Sequence, residues 1–157
     1  MPRLYTVEFE AQTIAAASGD YDLFEFDAAT DKPIELKSLV LKTTSELQEA
    51  QEEWLRIRII RGHTTSGNGT ATTPRPLSPV DTAAGFAAET VGATIASAGT
   101  AVNLWSDAFQ VRAGYELFRA PLEGFWASGA DLLVVRLMAA VADDVTMTGT
   151  AEVVEYP

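Results

Sequence analysis

The chain has 157 residues, no cysteine, and 22 acidic against 11 basic residues, for a net charge of −11. Without cysteine there is no disulfide framework, thiolate nucleophile or cysteine metal site. The negative charge argues against nucleic acid or an anionic membrane as the main partner, although acidity that serves only solubility is the plainer reading.

An apolar content of 47% is that of a folded domain. The length suits one domain over 1–157 that builds its core without cross-links. Met1-Pro2-Arg3 leads straight into a strand pattern, so no secretory signal is expected. Tyr5, Val7 and Phe9 alternate with Thr6, Glu8 and Glu10, which predicts a first strand with one face inward. Ser18-Gly19-Asp20 reads as a turn. Phe24 and Phe26 alternate with Glu25 and Asp27 in a second strand, and Asp31-Lys32-Pro33 turns again. Residues 34–42 are rich in Leu and Val with weaker alternation, which fits a central strand or one carrying a bulge. Residues 44–53 are the one helical stretch. Ser45 caps it and its early acidic residues suit the helix dipole. Leu47 is its sole large apolar residue, so the helix is short and peripheral, with an acidic loop as the alternative.

Residues 54–61 alternate most clearly. Leu55, Ile57 and Ile59 point one way, while Arg56, Arg58 and Arg61 take the other face or the strand end. Gly62 ends the strand, and 62–79 then carries almost no apolar side chain, with Pro74, Pro76 and Pro79 holding it extended. Loops of this length are usually binding arms or disordered segments. The expectation is an extended arm that orders against a neighbour through His63, Thr64, Thr65, Asn68, Pro74, Arg75 and Pro76. Deleting 64–73 is then expected to leave the monomer folded and to weaken assembly.

In 80–99, Gly85, Gly92, Gly99 and the threonines argue for short strands and turns over a helix, anchored by Phe86 and Ile95. Val102 and Leu104 mark a strand; Phe109, Val111, Tyr115 and Leu117 share parity. Residues 121–126 form a loop with two adjacent aromatics. Leu133, Val135 and Leu137 make a strongly apolar strand. The apolar run 132–142 is broken by Arg136 and is too short to span a bilayer. Asp143-Asp144 turns, and Val145, Met147, Ala151 and Val153 form a last strand with Gly149 as a candidate bulge. Eight or nine short strands predict an all-β, antiparallel two-sheet sandwich, jelly-roll-like, with one long polar loop. A closed barrel is the second choice.

Motifs for chemistry are wanting. His63 is the only histidine, too few for a histidine metal centre, and nothing near it in sequence orients a triad. Of the carboxylate pairs, Glu52/Glu53 would point to opposite faces of a strand, while Asp20/Asp22 and Asp143/Asp144 sit at turns, where Asp serves the backbone. Gly67-Asn68-Gly69 lacks the lysine and helix of a phosphate loop and reads as a turn. The expectation is no enzyme, no cofactor and no metal. Trp105, at a strand end, and Phe125 with Trp126, in a loop, either plug the core or anchor a sugar or protein interface.

Four blocks stand together: Arg58-Ile59-Ile60-Arg61-Gly62-His63-Thr64-Thr65-Ser66-Gly67, Ala108-Phe109-Gln110-Val111-Arg112-Ala113-Gly114, Leu133-Val134-Val135-Arg136-Leu137 and Met147-Thr148-Gly149-Thr150. Their order and spacing resemble a family of small proteins of tailed bacteriophages and prophages. The resemblance implies a virion component, and with the acidic β-sandwich and its arm it looks like a capsid decoration (cement) protein. Such a protein is made in the bacterial host cytoplasm and sits on the outer capsid surface. Its partners are the major capsid protein and its own copies, commonly as a homotrimer. It has no catalytic residue. The alternatives are a tail or head–tail component, or a carbohydrate-binding module of a host-recognition protein that uses Trp105, Phe125 and Trp126.

Overall fold

The computed structural model describes residues 1–16, 18–44, 53–129 and 131–157. The helix-or-loop expectation for 44–53 falls almost wholly on 45–52, outside the described residues. The described residues form twelve strands: β1 (Arg3–Ile14), β2 (Tyr21–Asp27), β3 (Ile34–Thr43), β4 (Trp54–His63), β5 (Thr70–Thr72), β6 (Arg75–Pro76), β7 (Ala87–Gly92), β8 (Val102–Gln110), β9 (Tyr115–Phe118), β10 (Phe125–Ala127), β11 (Leu132–Met138) and β12 (Val145–Glu155). They make two antiparallel six-stranded sheets. The first runs β10-β3-β12-β1-β6, with β9 also on β3; the second runs β5-β7-β2-β11-β4-β8.

The pairing is nested. β1 pairs with β12, β2 with β11, β3 with β9 and β10, and β4 with β8. The pairs β12–β3 and β11–β4 stitch this long ribbon into two sheets. That is jelly-roll connectivity. Its eight positions match the expected count, because β9 and β10 lie in succession along one side of β3. The additional strands, β5 to β7, are inserted between β4 and β8.

Alternation places the core between the sheets. Leu55, Ile57 and Ile59 are buried while Arg56 and Arg58 are exposed. Tyr5, Val7, Phe24, Phe26, Leu39, Leu41, Leu133, Val135, Met147 and Val153 complete the interior, each contributing roughly 1.5–3 kcal/mol. Phe9, Phe24, Phe26, Phe86 and Tyr5 form a chain of ring contacts with centroids 5.1–6.4 Å apart. The bulge expected in β3 falls at Lys37, which lies between the paired Leu36 and Ser38. The bulge expected at Gly149 lies instead on the facing strand, at Glu10 and Ala11 of β1. Gly149 stays in register, and its missing side chain makes room for a ring: a Cβ there would lie 2.5 Å from Phe9 Cε1.

β2 is buried on both faces, where alternation had predicted one. Asp22 and Glu25 are only 1% and 3% exposed. The outer face of the second sheet is roofed by the chain on either side of Thr65 and Ser97, which bond to each other at 2.9 and 3.0 Å. Ile60, Ala96, Leu132 and Val134 form a small second core beneath this roof. Arg136 Nε donates to Asp22 Oδ1 at 2.5 Å, and Arg136 Nη2 donates to Asp22 Oδ2 and to the Ala96 carbonyl, both at 3.0 Å. Ala96 N donates to Asp22 Oδ2 at 2.6 Å. A buried pair is weak evidence of net stability, but removing one partner strands a charge. Here the pair pins the roof to the sheet.

The same contacts show how 62–79, expected as an arm for a neighbour, lies against its own chain. The segment is extended, as its prolines dictate, yet its hydrogen bonds go to its own chain. Ser66 Oγ and Gly67 N donate to Glu25 at 2.8 and 3.1 Å. Asn68 N donates to the Thr94 carbonyl at 3.1 Å, and Thr94 N donates to Asn68 Oδ1 at 2.7 Å. β5 then pairs with β7 of the second sheet and β6 with β1 of the first. The segment is a strap that crosses from one sheet to the other.

Candidate functional site

The strap takes up most of the residues expected at an interface. His63 is 9% exposed, with Nδ1 3.1 Å from the Ala98 carbonyl. Pro74 is buried, and Arg75 and Pro76 lie opposite Thr6 and Tyr5. Thr64, Thr65 and Asn68 expose their side chains but hold the roof through the 94–97 backbone. The strap therefore works as a clasp within the chain.

The three aromatics separate. Phe125 and Trp126 are neighbours on β10, so their side chains take opposite faces. Phe125 turns inward and is 7% exposed. Its ring lies 6.1 Å from Trp105, and the Arg119 guanidinium lies 4.8 Å over Trp105 and 5.0 Å over Phe125. Trp105 Nε1 donates to Tyr115 Oη at 3.0 Å, and Tyr115 Oη donates to Asp107 at 3.1 Å. Burial, with Asp107 beside it, pushes the Tyr115 hydroxyl up to about 12. Trp105 and Phe125 thus close one side of the core beneath a cationic lid.

Trp126 faces outward and leads to a different place. On the outer face of the first sheet, the register sets Trp126 opposite Glu35, Glu35 opposite Val154, and Val154 opposite Leu4. One row therefore crosses β10, β3, β12 and β1. Trp126 stacks on Tyr156 with centroids 4.6 Å apart. Tyr156 Oη donates to Glu35 Oε2 at 2.6 Å, and Gly124 N donates to Glu35 Oε1 at 2.7 Å. Burial and the Glu35 carboxylate push the Tyr156 hydroxyl up to about 12. Glu35 is fully buried and acts as a bracket, holding Tyr156 and the turn that precedes β10.

Beside this row lies a groove of about 390 Å³ lined by Pro2, Leu4, Pro121, Leu122, Val154 and Tyr156, with Arg3 and Lys37 at its rim. The turn at its edge is unusual. Glu123 N donates to the Ala120 carbonyl at 3.0 Å, Pro121 follows Ala120, and Leu122 has φ +68°. This is the pattern of a type II turn, whose third position favours glycine. Leucine there costs about 1–2 kcal/mol in backbone strain, and its side chain is 68% exposed.

Sequence reading found Trp126 but missed Leu4, Lys37, Leu122, Val154 and Tyr156. A signal was present in Pro121-Leu122-Glu123-Gly124, where a Pro-initiated turn lacks its glycine at Leu122. The rest depends on register between strands distant in sequence. The arrangement suits recognition of a protein surface: apolar, shallow and rigidly backed. Among the described residues, no cluster of His, Cys, Asp or Glu could hold a metal ion. No family model matches this chain, nor does any curated protein or solved structure.

Proposed function

We propose that this protein is a non-enzymatic structural component of a tailed-phage virion, a capsid decoration protein that binds the outer capsid surface and reinforces contacts between capsomers. The observation that carries the reading is the apolar corner at Leu4, Leu122, Val154 and Tyr156, open at the surface of a sandwich that clasps its own long loop. A body with an apolar groove open at its surface suits attachment to another protein. The resemblance in sequence supplies the virion context. The chain's acidity keeps such a protein off packaged DNA. The non-enzymatic reading is supported by the commitment of its buried ionisable groups: Asp22 to Arg136, Glu25 to the strap, and Glu35 to Tyr156 and Gly124.

The carbohydrate-module reading is weakened because Trp105 lies under Arg119 and Phe125 is buried, so the three aromatics do not form one platform. A glycan screen with wild type and Trp126→Ala is expected to show no binding by either. Electron cryo-microscopy of the particle that carries this chain tests the main reading. Many copies on the capsid exterior are expected. Copies confined to the tail would transfer the protein to the tail or head–tail class, and absence from the particle would end the virion reading.

A further inference from the structure

We infer that the groove between β1, β12 and the turn at 120–123 is a docking site for an extended segment of a partner protein, in which an apolar side chain is flanked by carboxylates. This deepens the proposed function and rests on it only for the source of the segment, a capsid subunit.

The apolar part of the claim comes from Leu122. The residue occupies a turn position that glycine fills without strain, and it projects its side chain into water. The turn position costs strain, and a side chain that is 68% exposed recovers little of it by burial. Departures from local rules without a folding benefit concentrate at functional sites. Leu4, Val154 and the Tyr156 ring supply the facing wall, and the Tyr156–Glu35 bond holds that wall in place.

The charged part comes from the rim. In a chain of net charge −11, the two ionised groups lining the groove are both cations, Arg3 and Lys37. Lys37 is the bulged residue of β3, and bulges re-aim side chains. Among the described residues neither Arg3 nor Lys37 forms an ion pair. Arg3 Nη1 donates to Thr82 Oγ1 at 2.6 Å, which leaves its charge unbalanced. Glu155, opposite Arg3 in the register, is committed elsewhere, to Gly85 N, Phe86 N and Lys32. Glu35 is committed to Tyr156 and Gly124.

The size of the groove favours a peptide over a folded copy. A groove of about 390 Å³ is in the range of side-chain and small-ligand pockets. A stable interface between two folded copies buries roughly 800 Å² on each. The groove also lies on a sheet face and not along a free strand edge, so the segment lies across β1 and β12 without extending the sheet.

The test uses the full chain and three short blocked peptides: one alternating Glu and Leu, one alternating Lys and Leu, and one alternating Glu and Ser. The Glu/Leu peptide is expected to shift the backbone amide signals of Leu4, Leu122, Val154 and Tyr156. Lys/Leu and Glu/Ser are each expected to bind at least about tenfold more weakly. Leu122→Gly is expected to lose about tenfold or more in affinity for Glu/Leu while its thermal midpoint holds or rises, because glycine relieves the turn. Unmoved amides with Glu/Leu, equal binding of Lys/Leu, or full affinity in Leu122→Gly would each overturn the inference. So would a change of oligomeric state in Leu122→Gly by sedimentation, since the occupant would then be a second copy. Particles keep the two readings apart. Unchanged capsid occupancy by Leu122→Gly leaves the virion role and removes the groove. Peptide binding by a chain that is absent from particles does the reverse.

Discussion

Glu25 is a carboxylate beneath a roof. It lies directly opposite Glu89 in the β2–β7 register, and Ser66 Oγ donates to both at 2.8 and 3.0 Å. Burial raises its pKa above the ordinary 4.5, and Asp22 and Glu89 raise it further, against the hydrogen bonds from Gly67 N and Ser66. Val134 faces it from β11, and the Arg136 guanidinium on the same strand is spent on Asp22. A carboxyl whose folded pKa is raised binds its proton more tightly in the folded state. Its cost is therefore absent below 4.5 and grows as pH rises through the window up to the raised value. Glu25→Gln keeps an acceptor for Gly67 and removes the repulsion. The variant is expected to be more stable than wild type at pH 7, with the difference shrinking toward zero on acidification, as measured by chemical denaturation across that range. A second residue-scale expectation concerns Gly149. Gly149→Ala would put a methyl 2.5 Å from the Phe9 ring and 3.1 Å from Leu41. Overpacking of this kind costs about 1–3 kcal/mol, readable as a lower denaturation midpoint with an unchanged slope.

At the scale of elements, the strap changes the meaning of the longest loop. It spends its backbone groups on the 94–97 segment, on β7 and on β1, and it covers Glu25. Removal of 64–73 would uncover Glu25, take β5 from the edge of the second sheet and free the roof over Ile60 and Val134. A deletion variant is therefore expected to be destabilised by several times the ~1 kcal/mol of one hydrogen bond, seen as a clear fall in thermal midpoint. A midpoint equal to that of wild type would return the strap to the role of a free arm. The turn at 120–123 is the opposite case. It covers no core and offers Leu122 outward, so its replacement should alter binding and spare the fold. The sequence set the long polar stretch with its prolines apart from the short aromatic-bearing loop at 121–126, but it did not say which of them the fold would use. The partners they find in space decide that.

For the whole molecule, nested pairing makes folding a long-range problem. The first strand pairs with the last and the second with the next to last. Loop closure must precede most of the stabilising contacts, which slows such topologies. Refolding by stopped flow is expected on the scale of roughly milliseconds to seconds and not microseconds; a microsecond phase carrying the full amplitude would contradict this account. Composition and alternation were enough for the sandwich. Leu55, Ile57 and Ile59 on β4, Leu133, Val135 and Leu137 on β11, and Tyr5, Val7 and Phe9 on β1 each announce one buried face. Glu25 announced the wrong thing. In a strand read alone it marks the solvent face, whereas the roof buries it.

Local sequence thus carried the strand periods, the sign of the charge, the turns and the stiffness of the proline-rich stretch, because each depends on residues a few positions apart. The row from Trp126 to Leu4, the roof over Asp22, the clasping of 62–79 and the groove beside Leu122 arose only on folding. Each joins residues whose separation along the chain bears no relation to their separation in space, and strand register alone brings them together.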